Sequence, residues 1–464
     1  MTDLRDDALD ELRESMSGRV IGAADPDYDE ARTVFNAMID RRPAVIARCA
    51  GTSDVQQAVT FARRHDLEIA VRGGGHSVAG MAVNDGGLVV DLREMNAVEV
   101  DAGTRTAVVA GGATMSHLDR ACQPFGLATT GGRVSTTGVG GFVLGGGTGW
   151  LDRKFGLACD SLVAAELVTA DGSIVRASEV ENPDLFWALH GGGGNFGVAV
   201  SLTLRLHPLP VSTFGFLAWS PDRGPEITRI YRDMIENGPD ELGGGVLYLT
   251  GPEDDPVVPE HLAGRLMLAT AVVFAGTEAE AREAIAPLLA AEPQGMSIGE
   301  MPYADLQSAL DDPPGLRNYW SAEHLSALPD QAVDAFCARS DSLLVPSASQ
   351  HVLFAAGGAA ARGLSDHPVP WRHAPWVVHP FALWTDPADD RRSIQWTHDV
   401  RADLHPWATG DIYLNFIGNE GEERVVAGLG QDNYDRLAAI KGEYDPGNVF
   451  HLNHNIVPLA ASRT

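Results

Sequence analysis

Two glycine-dense stretches constrain this chain more than any other feature: Arg72-Gly73-Gly74-Gly75-His76-Ser77 and Gly138-Val139-Gly140-Gly141-Phe142-Val143-Leu144-Gly145-Gly146-Gly147-Thr148-Gly149. Glycines at this density let backbone N–H groups converge where any Cβ would intrude, and the positive-φ conformations they permit shape anion-binding nests. A large phosphorylated ligand is the expectation. An isolated histidine is ordinarily a satisfied loop residue, but His76 follows directly on three glycines. There a neutral imidazole can act as a nucleophile toward an electrophilic carbon of the ligand.

The chain has 464 residues, 44% of them hydrophobic, enough for two or three cores. Its 63 acidic residues outnumber 34 basic ones, and Lys154 and Lys441 are its only lysines. A field of that sign repels nucleic acid and anionic membrane, so neither is an expected partner. No Gly-x-x-x-x-Gly-Lys-Ser/Thr occurs, which leaves backbone amides to hold any phosphate. Met1 to Asp10 is charged, without the apolar core of a signal peptide, and no apolar run reaches bilayer length, so the expected compartment is the cytoplasm. Cys49, Cys122, Cys159 and Cys337 are widely separated, which argues for reduced thiols rather than a zinc site or disulfide framework. His451-x-x-His454 has metal-ligand spacing only on a helix, and Pro446, Gly447 and Pro458 make that stretch turn-rich, so no metal is expected.

Residues 1–38 read as a polar helix, Leu4 to Ser15, and an irregular lead-in. Pro43 to Ala50, an amphipathic helix Val55 to His65 capped by Ser53-Asp54, and Leu67 to Val71 form a β-α-β unit that delivers the first glycine loop at a strand end. Ala97 to Ala110 reads as a hairpin, Ser116 to Gln123 as a helix, and Ala164 to Ala177 as a hairpin turned at Asp171-Gly172. Asn182-Pro183 starts a short helix ending near His190. Gly192-x-Gly194-x-x-Gly197 matches the dinucleotide fingerprint in letters only, because a helix precedes it and the strand Val198 to Leu206 follows. His207 to Pro210 marks a boundary, after which longer strands such as Arg265 to Phe274, helices such as Glu278 to Ala291 and frequent aromatic residues predict an α+β unit. The tail, with a helix over Tyr434 to Tyr444, has turn chemistry and no core of its own, and is expected to fold back on the first part.

Several long motifs in order then resemble one family: Arg72 to Ser77 with Gly80, Gly138 to Gly149, Leu151 to Leu157 with Asp160, Asn182 to Trp187, Gly191 to Gly197, Tyr434, Tyr444-Asp445-Pro446, Asn448, Phe450 and Asn455-Ile456-x-Pro458. Across almost its entire length the chain resembles FAD-linked oxidases with a PCMH-type (vanillyl-alcohol-oxidase-type) FAD domain, in the berberine-bridge-enzyme-like branch. The resemblance implies an α+β fold: a two-part FAD-binding domain over 39–210, a substrate domain with an antiparallel sheet over 211–407, and a C-terminal segment, 408–464, returning to the FAD domain. It implies FAD joined through its 8α-methyl carbon to His76, its pyrophosphate on the amides of Gly73 to Ser77, its adenine near Val198, and its isoalloxazine reached by Tyr413 and Asn415. Arg72, Gly80, Val134, Thr137, Gly138, Gly140, Gly141, Leu144 and Gly149 complete the implied cofactor site.

The departures narrow what is implied. Doubly linked relatives carry a cysteine where this chain has Val134, so a single covalent bond is expected. Many relatives carry a tyrosine base in Tyr-x-Asn-Tyr, where this chain reads Tyr413-Leu414-Asn415-Phe416. Either another side chain takes a substrate proton, or the substrate is an amine whose neutral nitrogen releases hydride without a base. Thr137 stands where relatives control oxygen access, often with valine. The expected activity is hydride transfer from a CH–OH or CH–NH group of a small secondary-metabolite-like or heterocyclic substrate to flavin N5, with oxygen as acceptor. A dehydrogenase using another acceptor and a non-catalytic flavin binder are the alternatives. Tyr319, His351, Arg372 and Trp384, polar or aromatic residues of the middle region, are the candidate pocket residues beside Tyr413 and Asn415.

Overall fold

The short apolar run Val45–Arg48 and the runs Ile69–Arg72 and Leu88–Asp91 become strands, with Leu88–Asp91 in the middle and parallel to both neighbours. A strand flanked on both sides and covered on both faces is apolar throughout, and Leu88, Val89 and Val90 are accordingly all but fully buried. Helix Thr52–Arg64 covers one face through Val55, Ala58, Val59 and Ala62. Its N-cap is Gly51 rather than the expected Ser53-Asp54. Asp54 instead turns its carboxylate outward from the first turn and accepts the N–H groups of Ser17, Gly18 and Ala50 at 2.8 to 2.9 Å, tying down the lead-in. The computed structural model describes residues 6–363 and 366–459. The first residues of the expected helix from Leu4 lie outside them, and the helix runs over Asp6–Ser15.

A second, five-stranded antiparallel sheet has the order Val98–Asp101, Thr106–Ala110, Val198–Arg205, Leu162–Val168, Ile174–Ser178. The glycine runs and Gly191 to Gly197 lie on connections between these elements. From Ser212 onward the chain builds an eight-stranded antiparallel sheet whose central strands are Leu266–Phe274, Leu242–Thr250, Gln350–Ala355 and Trp376–Trp384. Helices Gly224–Asn237, Asp330–Ala338 and Asp390–Leu404 cover one face of it through Tyr231, Phe336 and Trp396. The expected helix Glu278 to Ala291 is two, Glu278–Ala284 and Ala286–Ala290. Pro287 cannot donate to the preceding turn and its ring crowds that turn's carbonyl, so the ladder breaks at Ile285.

The tail returns as expected. Helix Gln431–Tyr444 places Tyr434, Leu437 and Ile440 in one core with Leu185, Trp187 and Phe196. Lys441 on this helix is fully buried and donates to Asn195 Oδ1 at 3.1 Å, to the carbonyl of Phe450 at 2.9 Å and to Asn455 Oδ1 at 3.1 Å. The Asp445 carboxylate lies 3.7 Å away and accepts the N–H groups of Val449 and Phe450. Burial pushes the Lys441 pKa down to about 8. A buried cation survives there because every donor finds a partner. Lys441→Met is expected to destabilise the protein by about 3–5 kcal/mol, the usual cost of breaking a buried pair, with new proteolytic cleavage around 445–456. An unchanged melting curve and cleavage pattern would contradict this latch.

Candidate active site

The two glycine runs meet backbone to backbone. A Cβ on Gly74 would lie 2.3 Å from the Gly138 nitrogen, and one on Gly138 would lie 2.3 Å from the Gly74 nitrogen, so neither position accepts a side chain. Gly75 takes φ +75°, which turns the loop back toward the crossing. Beside the crossing opens a cavity of about 370 Å³ lined by Gly73 to Ser77, Val134, Thr137, Gly138, Gly140, Gly141, Leu144 and Gly191 to Gly194. Gly141 and Gly194 differ from the crossing glycines. Both are exposed, and an added Cβ would meet nothing within 4 Å. The chain's own packing does not require glycine there, and both border the cavity.

His76 is set by its neighbours on either side. Its Nε2 shares a hydrogen bond of 2.8 Å with Thr136 Oγ1, and its ring stacks on Phe35 at 4.0 Å and 22°. Burial disfavours the charged imidazole and pushes its pKa down to about 4, so the ring is neutral across the physiological range. With Nε2 engaged, Nδ1 is the nitrogen left for an electrophile. Phe35 comes from the lead-in, where Asn36 also donates to the carbonyls of Asn318 and Val78. Tyr413 and Asn415 line the cavity too. The Asn415 amide donates to the Gly141 carbonyl at 3.1 Å and to the Tyr413 hydroxyl at 3.0 Å, and burial raises the Tyr413 pKa.

The opposite wall is the face of the large sheet turned away from its helices. Two cross-strand rows form it, Leu247–Val352–His379 and Gln350–Phe381–Trp320. Trp320 stacks on Phe381 at 4.4 Å, and His379 packs on Phe416 at 4.2 Å. Burial, reinforced by Arg133, pushes His379 down to about 3. Arg133 lies over the Phe354 ring at 3.9 Å and donates to the carbonyls of Thr148 and Gly149. Asp312 is the one carboxylate among the described residues of the wall; it accepts from Gln350 Nε2 at 3.2 Å, and burial followed by the charge of Asp311 raises it to about 7. The wall is otherwise aliphatic and aromatic, suited to a flat, mostly apolar molecule.

Several expected site residues do not line the cavity. Val198 faces the interior, and its neighbours Gly197 and Ala199 form the wall. Tyr319 packs near His398 at 5.6 Å, while Trp320 faces the cavity. His351 is fully buried with Nε2 on the Phe336 carbonyl, and Gln350 and Val352 face the cavity. Trp384 donates to Asp390 Oδ1 on the helix-covered face, opposite His379 and Phe381. Successive strand residues point to opposite faces, so Val198, Tyr319 and His351 sit one place from a lining residue and Trp384 falls on the face opposite Phe381. Arg372 is tied to Asp160 at 2.6 Å, away from the cavity. Arg72, Gly80 and Gly149 back the loops from behind: Arg72 donates to the Ala31 carbonyl, and side chains on Gly80 and Gly149 would strike Ile39 and the Gly131 carbonyl. Sequence reasoning missed Phe35, Arg133, Asp312, Gln350 and His379. Alternation along predicted strands could have found Gln350 and His379; no local signal marks the others.

Comparison with known proteins agrees with this geometry. Residues 43–178 match the model of the FAD binding domain, and residues 413–457 match that described as "Berberine and berberine like". The chain is 30% identical over 463 residues to (R)-6-hydroxynicotine oxidase of Paenarthrobacter nicotinovorans, covering 96% of this chain and 97% of that one. The crystal structure of 6-hydroxy-D-nicotine oxidase from Arthrobacter nicotinovorans superposes with a TM-score of 0.83 at 28% identity, over 96% of this chain and 99% of the other. Glucooligosaccharide oxidase from Acremonium strictum, whose FAD is 6-S-cysteinyl and 8α-N1-histidyl, shares the fold with a TM-score of 0.85 at 23% identity, over 98% of this chain and 100% of its own. By its motifs, its fold and its kinship along nearly the full length of both chains, this protein belongs to the berberine-bridge-like branch of the FAD-linked oxidoreductases, and FAD is its cofactor.

Proposed function

We propose that the protein is an oxidase that takes hydride from a CH–OH or CH–NH group of a small, flat, largely apolar organic molecule. When bound, FAD supplies the two-electron acceptor at N5 and hands the electrons to oxygen, with release of hydrogen peroxide. The observation that carries the reading is the pairing of two unlike walls across one cavity: a glycine cradle with side-chain-free room at Gly141 and Gly194, and a largely aromatic and aliphatic sheet face with polar groups at Arg133, Asp312, Gln350 and His379. The residues fit the cofactor. Gly73 to Ser77 offer amides to the pyrophosphate, Tyr413 and Asn415 offer polar atoms to the ring system, and the sheet wall holds the substrate against it while excluding water. The cytoplasm as compartment is supported by the four buried cysteines, all free.

His76 is the residue we assign to the covalent bond, through Nδ1, because its ring is neutral and its other nitrogen is held by Thr136. Val134 on the same wall has no nucleophile, so the bond is single.

Bleaching of the protein's flavin by members of an alcohol and amine panel, with colour returning in air and peroxide appearing in equal amount, is the expected outcome. No bleaching by any member would leave a silent binder, and return of colour only with a dye would indicate a dehydrogenase. In acid precipitation the yellow colour should stay in the pellet of the wild type, with a flavin-sized mass on the peptide containing His76, and move to the supernatant in His76→Ala. Colour in the wild-type supernatant would contradict the bond. Gly141→Leu should leave the melting temperature of the FAD-free protein within a few degrees of wild type while abolishing FAD incorporation. Full incorporation would mean that the room beside Gly141 is not the cofactor's.

A further inference from the structure

We propose that Asp312 accepts the hydroxyl proton of the substrate, taking the place of the phenol that Phe416 lacks, and that the substrate is therefore an alcohol. The inference rests on the flavin oxidase reading above and narrows it.

Geometry carries the argument. Asp312 is the single carboxylate among the described residues lining the cavity. It does not hang free. Gln350 Nε2 donates to its Oδ1 at 3.2 Å, and Gln350 stands on the cavity face of a sheet strand, in register with Phe381. The loop is pinned from the other side as well, because Asp311 accepts the backbone N–H of Ser135 at 2.7 Å. Ser135 adjoins Val134, which lines the same cavity, and Thr136, which holds His76. Asp312 is thus fixed jointly to the sheet wall through Oδ1 and to the loop that positions His76 through its neighbour Asp311. Phe416 packs on His379 across the same wall and offers no proton-accepting atom.

The electrostatics agree. Among the cavity's other titratable groups, burial pushes His76 to about 4, His379 to about 3 and His454 to about 4, so all three are neutral from mildly acid pH upward. Burial raises Tyr413 and lowers Arg133, while Asp311 is the charged neighbour that acts on Asp312. Asp312, raised to about 7, is then the group of this wall that changes charge near neutrality, and it is a competent acceptor only when ionised, above that point. A carboxylate here suits an alcohol and opposes an amine. Beside an amine it would stabilise the ammonium form, whose nitrogen has no lone pair to drive hydride release.

In the step, the substrate O–H bond breaks with its proton going to Asp312. The adjacent C–H bond breaks with its hydrogen and electron pair going to FAD, which oxygen reoxidises with formation of hydrogen peroxide, and the organic product is the carbonyl compound.

The test compares wild-type, Asp312→Asn and Gln350→Leu holoenzymes in two readouts. Infrared difference spectra across pH, without substrate, should show in the wild type a carboxylic C=O band that vanishes with a midpoint near 7 and is missing in Asp312→Asn. Flavin reduction by secondary alcohols in the absence of oxygen should accelerate through the same midpoint in the wild type. It should be slower by about 100- to 10,000-fold and lack that limb in Asp312→Asn, and the midpoint should move to higher pH in Gln350→Leu, which loses the hydrogen bond to the ionised form. A band titrating in the ordinary carboxylate range would overturn the proposal. So would wild-type alcohol rates in a folded Asp312→Asn protein, or reduction by amines alone at a rate indifferent to Asp312. Absence of flavin reduction by any compound would instead fail the oxidase reading on which the proposal stands, and would overturn it by that route.

Discussion

The constraint on which the site rests is the crossing of Gly74 and Gly138, where two loops from distant parts of the sequence touch with no space for a Cβ on either. The sides of the cavity depend on it. The crossing brings Thr136 under His76, opens the cavity beside Gly141, and sets Val134 and Thr137 along its edge. Other backbone contacts of the same kind support it: a Cβ on Gly111 would lie 2.1 Å from the Ala199 carbonyl, and one on Gly149 would lie 1.7 Å from that of Gly131. Such contacts bring no hydrophobic gain of their own. Their stability must come from the sheets and helices that carry the loops, and from latches such as Lys441.

What was legible in the chain follows the range of each signal. The glycine runs, the β-α-β unit, the hairpin at Asp171-Gly172 and the returning tail are encoded locally, by turn chemistry, periodicity and caps, and the fold class followed from motif order. The phase of a strand is encoded less well. Val198, Tyr319 and His351 each lie one residue from a cavity-lining neighbour, and Trp384 lies on the opposite face of its strand from Phe381, because both faces of these strands are buried and composition does not say which face meets the ligand. Phe35 and Asp312 were beyond reach for another reason. Each gains its role from a contact far away in sequence, Phe35 with His76 and Asp312 with Gln350.

The chain spends its charge unevenly. With a net charge of −29 overall, it keeps one carboxylate on the cavity wall among the described residues, beside imidazoles held neutral by burial. A low-dielectric site of this kind strengthens the few polar interactions left in it and makes the placement of a single proton acceptor consequential. The same burial that disfavours charge on Asp312 brings its titration to the pH at which a general base works best. Phe416, which offers no proton-accepting atom, and Asp312, which does, line the same cavity.

The most direct measurement is a crystal structure of the protein purified with its own FAD. The expected result is the pyrophosphate on the Gly73 to Ser77 loop, continuous density from His76 to the ring system, and the ring lying between the side-chain-free space at Gly141 and the sheet face bearing Gln350, His379 and Phe381. A ring system outside that gap, or one separated from His76 by open density, would contradict it.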